Sequence, residues 1–336
     1  MSEPTAVQRP QEPDWTSMTG QDLRAYREAE NRFRASPAAR AITGEPDPGA
    51  GITWEQVALP GRTVPVRVHR PVAEGAGDTP LPLVLHVHGG AFVGTAVQCD
   101  WVTSHVAAQL PAVVVSVEHR LLDADTSLAD AAADAWDVLG HVLGDAAGWG
   151  VNPARVAVFG ESCGALISAL TALRARDNGI RLLAQVLVNP AVDVTGAMYD
   201  HASFTDHAST PTLSLDVLHL FERLAVPSGT DPRPLSPLHA DDLGGLPPAL
   251  LVVPTHDPVA DHGRRYAEAL RAAATPARLT EYEGAGHAFL SMPALAPHAT
   301  PARREITTFL RAALSAWPTP PGRPAPAARP APAPTA

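Results

Sequence analysis

A serine held between two glycines, Gly160-Glu161-Ser162-Cys163-Gly164, is the residue set in this 336-residue chain best suited to covalent chemistry. A serine hydroxyl is a weak nucleophile until a neighbouring base takes its proton. The spacing Gly-x-Ser-x-Gly suits a sharp turn from a strand into a helix, where only small residues fit beside the serine. Such a turn places the serine at the carboxyl edge of a sheet and at a helix N-terminus, where backbone N–H groups favour negative charge. The run Arg155-Val156-Ala157-Val158-Phe159 reads as that strand, and Leu166, Leu170 and Leu173 lie on the helix that follows. An isolated match could be an idle turn; a strand before it and a helix after it decide for the functional reading.

A second set, His88-Gly89-Gly90-Ala91-Phe92, closes the apolar run Leu83-Val84-Leu85-His86-Val87-His88. Glycines allow backbone N–H groups to turn toward a ligand. Gly89, Gly90 and Ala91, with the N–H of Cys163, are expected to form a hole for the oxyanion of a tetrahedral intermediate. His88 is expected to be a structural hydrogen-bonder and not a base.

A serine nucleophile needs a base, and the base needs an orienting carboxylate. His287 lies in the glycine-rich stretch Glu283-Gly284-Ala285-Gly286-His287-Ala288-Phe289, after the last strand-like run. Asp257 lies in Thr255-His256-Asp257-Pro258, after the run before it. Taken singly, His287 would be a surface-loop histidine and Asp257 a turn former. Together they give the order Ser, acid, His, each at the carboxyl end of a strand where α/β sheets bind ligands.

Other candidates are weaker. His86 and His88 share a strand face without a third ligand, so no metal site is expected. Cys163 adjoins Ser162, but adjacent residues cannot both occupy the apex of one turn. Cys99 reads as a small buried apolar residue.

The elements that must position these residues are legible as a pattern. Strands are expected near 52–58, 63–69, 82–88, 112–118, 155–160, 183–189, 248–254 and 277–282. Helices are expected at about 97–109, 127–147, 163–176, 261–274 and 301–315. Several of the strand runs are almost continuously apolar, as strands covered on both faces require. Two strands followed by strand–helix alternation imply an α/β fold, a mostly parallel sheet with helices on both faces. Thr19 and Asp22 read as a capping box that opens a helix ending before Pro37. Residues 44–51 read as a linker, and Leu213–Leu224 as a helix within a long insertion after the sixth strand. Residues 1–18 and the Pro/Ala-rich stretch 316–336 are expected to be disordered.

Composition bounds the partners. The net charge is −10, and all 25 basic residues are arginine. That argues against nucleic acid, which calls for a basic face. The absence of lysine excludes Schiff-base chemistry at a lysine. No run of 18 apolar residues and no signal-peptide pattern appears, so no membrane partner and a cytoplasmic location are expected.

Over about residues 60–315 the sequence resembles the hormone-sensitive-lipase-like group of α/β-hydrolase esterases. The resemblance is carried by HGGAF, VVVSVEHRL, FGESCGA, LVNPAVD, SPLHADDLGGLPPALLVV, HDPVADHG, YAEAL and YEGAGHAF. It implies an α/β-hydrolase fold with an eight-stranded, mostly parallel sheet. It also implies a helical cap built from residues 19–50 and an insertion at about 194–230, on a catalytic domain spanning 51–315. The implied activity is carboxylic-ester hydrolysis with no cofactor. The sequence departs from the group's usual motifs at Ala91, Glu161, Cys163 and in the stretch 118–124. The match of HDPVADHG carries the group's acid onto Asp257. The rivals are Asp193 after the sixth strand, Asp261 as a helix cap, and Glu283. His256 and His262 are expected to face the cap or solvent.

The expected function is therefore a serine hydrolase of small or medium acyl esters, with Ser162, Asp257 and His287 as its triad. The partner is a small-molecule ester, and a homodimer stays open. Acyl transfer, cyclisation or elimination at the same site is the alternative. A non-catalytic binding protein on this fold ranks last, because all three triad residues are present.

Overall fold

The computed structural model describes residues 7–72 and 79–315. The stretch 316–336, expected to be disordered, lies outside the described residues.

Among the described residues eight strands form one sheet, in the order β1-β2-β4-β3-β5-β6-β9-β10. The strands are β1 (Ala50–Leu59), β2 (Arg62–Pro71), β3 (Leu81–Val87), β4 (Val113–Val117), β5 (Val151–Glu161), β6 (Ala184–Val188), β9 (Ala249–His256) and β10 (Ala277–Gly286). β2 pairs antiparallel with β1 and β4, and every later neighbour pair is parallel. β1 begins at Ala50, inside the stretch expected to be a linker.

Alternate residues of each buried strand feed opposite layers, because strand side chains alternate between faces. Leu83, Leu85, Val115, Leu187 and Leu251 pack with the helices α4 (Leu128–Gly144), α5 (Cys163–Asp177) and α8 (Ala260–Ala272). Val84, Val114, Val186 and Leu250 pack on the other face against α3 (Asp100–Gln109) and α9 (Ala299–Ser315). A sheet covered on both sides needs apolar residues at consecutive positions, which explains runs such as Ala249-Leu250-Leu251-Val252-Val253.

A further layer covers the carboxyl ends of the strands. It is built from α1 (Gly20–Arg34), α2 (Pro37–Thr43) and the insertion, which holds α6 (Ala202–Asp206), a hairpin of β7 (Ser209–Thr210) and β8 (Leu213–Ser214), and α7 (Leu215–Ala225). Thr19 accepts from the Asp22 N–H and Asp22 returns a bond to Thr19, so α1 opens on a capping box. Leu23, Leu220 and Phe221 join Phe92 and Ile167 in one apolar cluster beneath this layer.

Residues 7–18 differ from the disorder expected of them. Trp15 is buried, with its ring 5.2 Å from Tyr26 and 5.4 Å from Phe92. Its indole N–H donates to Glu12 at 3.0 Å, and Arg9 pairs with the buried Glu30. One tryptophan supplies enough apolar area to anchor an otherwise polar segment. Among the described residues no helix is long and apolar enough to cross a membrane.

Candidate active site

The turn after β5 is built as its sequence requires. Ser162 has φ 57°, which side chains other than glycine rarely adopt, and its N–H donates to Val188 O at 2.9 Å. A Cβ on Gly160 would sit 2.2 Å from Gly164 O, and one on Gly164 would sit 2.1 Å from Val87 O. Both positions therefore exclude every other residue. Three of the four non-glycine residues with positive φ among the described residues, Ser162, Asn189 and Ala288, gather here. Such strain collects at functional sites because the surroundings over-determine the backbone.

Two strand ends deliver the partners. Ser162 Oγ lies 2.7 Å from Nε2 of His287, which directly follows β10. His287 Nδ1 lies 2.8 Å from Oδ2 of Asp257, which directly follows β9. The other Asp257 oxygen accepts the Val259 N–H at 3.0 Å. Asp257 and His287 are both buried. With a proton on Nδ1, Nε2 is left as an acceptor for the serine hydroxyl, so the chain can draw the hydroxyl proton toward the imidazole.

The loop after β3 faces this serine. A Cβ on Gly89 would lie 3.4 Å from the Ser162 Cβ, and one on Gly90 would strike Val93 O at 1.9 Å. The N–H groups of Gly89, Gly90, Ala91 and Cys163 donate to no carbonyl among the described residues. Ala91 lines the same cavity, and its carbonyl accepts the Leu122 N–H at 2.8 Å. His88 is buried, hydrogen-bonded through Nδ1 to Gly89 O at 2.9 Å and stacked on His119. Burial pushes both imidazoles down to about 4, which suits supports and not bases.

The remaining candidates fall elsewhere. His86 bonds Ser116 at 2.7 Å. Glu283 is exposed. Asp261 sits inside the first turn of α8 rather than capping it, and accepts from Ser203 N–H and Arg264. His256 is exposed, with its ring 5.3 Å from His207 of the insertion. His262 is fully buried, not solvated, and meets the rings of His201 and Phe204. Its burial follows from its place on the inner face of α8, and pushes its pKa down to about 4.

The geometry adds contacts around the triad that the sequence reading did not assign. The Asn189 amide nitrogen lies 3.3 Å from His287 Nε2. Ser291 donates to the buried Glu161 at 2.5 Å, and Cys99 lies 3.9 Å from the same hydroxyl. Burial raises the Glu161 carboxyl above its ordinary range, against the lowering effects of Ser291 and His287. Burial also pushes the Cys163 thiol up to about 12, so it is not a thiolate at neutral pH.

A cavity of about 390 Å³ opens above Ser162 and His287. Trp15, Phe33, Phe92, Leu218 and Phe221 give it apolar walls. A second hollow of about 540 Å³, beside Asp193 and His239, lies away from the serine.

Residues 84–291 match a family model described as alpha/beta hydrolase fold. The chain is 37% identical over 262 residues to the carboxylesterase NlhH of Mycobacterium tuberculosis, covering 75% of this chain and 79% of that one. It is 29% identical to an arylesterase of Saccharolobus solfataricus, covering 82% and 86% of the two. Its fold superposes on the esterase of Pyrobaculum calidifontis with a TM-score of 0.78 at 29% identity, over 87% of this chain and 93% of the other.

Proposed function

The chain belongs to the alpha/beta hydrolase fold family and is a carboxylic ester hydrolase, and from that premise we propose that it cleaves esters of small or medium acyl groups through an acyl-enzyme at Ser162. Ser162 Oγ attacks the ester carbonyl while His287 Nε2 takes its proton. The carbonyl oxygen becomes an oxyanion held by the N–H groups of Gly89, Gly90, Ala91 and Cys163. Collapse breaks the bond to the alcohol, which leaves with the proton from His287. Water then enters, gives its proton to the same nitrogen, and releases the acid. Asp257 keeps the imidazole in the productive tautomer and stabilises its cation.

The observation that carries this reading is the continuous chain of 2.7 Å and 2.8 Å contacts from Ser162 through His287 to Asp257. The cavity of about 390 Å³, walled in part by Trp15, Phe33, Phe92, Leu218 and Phe221, supports the acyl size. The test is a series of p-nitrophenyl esters of increasing chain length, run with the wild-type protein and Ser162→Ala. The expected profile peaks among short and medium chains. Ser162→Ala lowers kcat by roughly three orders of magnitude or more, since triad members act as a unit. Undiminished turnover by folded Ser162→Ala would overturn the reading.

A further inference from the structure

Residues 89–94 are rich in glycine, and glycine leaves a loop with more conformations to lose than any other residue. An oxyanion hole works only if its donors are aimed before the charge develops. The loop therefore needs anchors outside itself, and they come from one stripe of α1. Arg27, Asn31 and Arg34 are spaced four and then three residues apart, which puts them on one helix face. Arg27 Nε donates to Phe92 O at 2.8 Å and its Nη2 to Leu122 O at 2.5 Å. Leu122 in turn donates its N–H to Ala91 O. Asn31 Oδ1 accepts the Gly94 N–H at 3.0 Å. Arg34 Nη1 donates to Gln98 Oε1 at 2.7 Å, and Gln98 Nε2 donates to Gly89 O at 3.2 Å. Each link ends on a backbone atom of the loop or on a residue that holds one.

We propose that Arg27, Asn31 and Arg34 are positioning residues that lock the loop 89–94 into its donor geometry, so that α1 sets the rate of turnover as well as covering the cavity. The proposal rests on the assignment of Gly89, Gly90, Ala91 and Cys163 as the oxyanion hole. Asn31 is the sharpest point of test, because it makes a single contact to the loop and does not line the cavity.

The experiment compares an aliphatic trifluoromethyl ketone with the methyl ketone of the same chain. The fluorinated ketone adds Ser162 Oγ at its carbonyl carbon, the hydroxyl proton passes to His287, and its oxygen becomes the oxyanion. The methyl ketone reports ground-state binding. The wild-type protein should prefer the fluorinated ketone by about 100-fold or more. Asn31→Leu should lower both kcat and that preference by about 10- to 100-fold. Its KM should stay within about threefold, as expected when a loss is confined to the transition state. Asn31→Asp keeps an acceptor oxygen and should restore both to within about threefold of wild type. If Asn31→Leu does not fold, Arg27→Met, which removes the bonds to Phe92 O and Leu122 O at a residue that does not line the cavity, carries the same expectation. A folded Asn31→Leu with unchanged kcat and preference overturns the proposal, as does a loss that Asn31→Asp fails to restore. A wild-type protein without any preference removes the oxyanion hole itself.

Discussion

Nε2 of His239 lies 3.0 Å from Oδ2 of Asp193, so the strongest rival for the acid role already serves another imidazole. The other Asp193 oxygen accepts the Thr195 N–H at 2.8 Å. Burial alone would raise this carboxyl, but the bonds from Thr195 and His239 prevail and hold it below its ordinary value. Asp257 spends one oxygen on the Val259 N–H and turns the other to His287. The two aspartates follow neighbouring strands of the sheet, and hydrogen-bond partners separate them where position in the chain does not.

Asp257→Asn should therefore lower kcat by roughly 10⁴, because an amide favours the wrong imidazole tautomer. Asp193→Asn keeps an acceptor for the Thr195 N–H and should lower kcat by less than about tenfold, with its main effect on stability. Steady-state kinetics on both folded variants check this. A reversed pair of effects would make Asp193 the acid.

A fluorophosphonate probe should label Ser162 and leave Cys163 unmodified, as read by peptide mass mapping. The hydroxyl has an imidazole 2.7 Å away. The neighbouring thiol is buried, and that burial keeps it protonated at neutral pH. Adducts on Cys163 would contradict the serine assignment.

The sheet was legible in the sequence because strands covered on both faces must be apolar at consecutive positions. Ser162 was legible because its turn leaves room only for glycine at 160 and 164. Asp257 and His287 emerged from their order and their place after strands. The supports of the site were not legible, for a physical reason. Asn31 meets Gly94 and Gln98 meets Gly89 through single polar contacts that leave no periodic trace. Ser291 reaches Glu161 across 130 positions of sequence. Trp15 was hidden in a polar segment whose composition alone pointed to disorder, although one indole was enough to dock it.

Trp15→Ala should both destabilise the protein and loosen its grip on substrate. The indole packs on Tyr26 and Phe92 and forms part of the cavity wall. Removing a buried aromatic ring from a chain of this size should lower Tm by roughly 3–10 °C. The enlarged cavity should raise KM for short acyl esters by about fivefold while leaving kcat within about threefold, because uniform binding is what is lost. Thermal melts and a chain-length series read both effects. Unchanged values would mean that residues 7–18 do not hold this position in solution.

Acid should destabilise the fold before it protonates the bulk of its carboxylates. Burial holds His88, His119 and His262 at about 4, against an ordinary value of 6.5. Their folded values are depressed, so the unfolded chain binds more protons between those limits. The stability they contribute is whole above about pH 6.5 and is lost as pH falls through the window toward about 4. Glu118 and Glu161 oppose this, since burial raises their carboxyls and a raised carboxyl favours the fold as pH falls. Burial lowers His86, His105 and His201 as well, and six depressed histidines outweigh two raised glutamates. Tm should therefore fall by at least about 5 °C between pH 7 and pH 5. His262→Leu, which removes one of these six, should make that dependence shallower. A Tm that stays flat across this interval would mean that these imidazoles are solvated and protonate without cost to the fold.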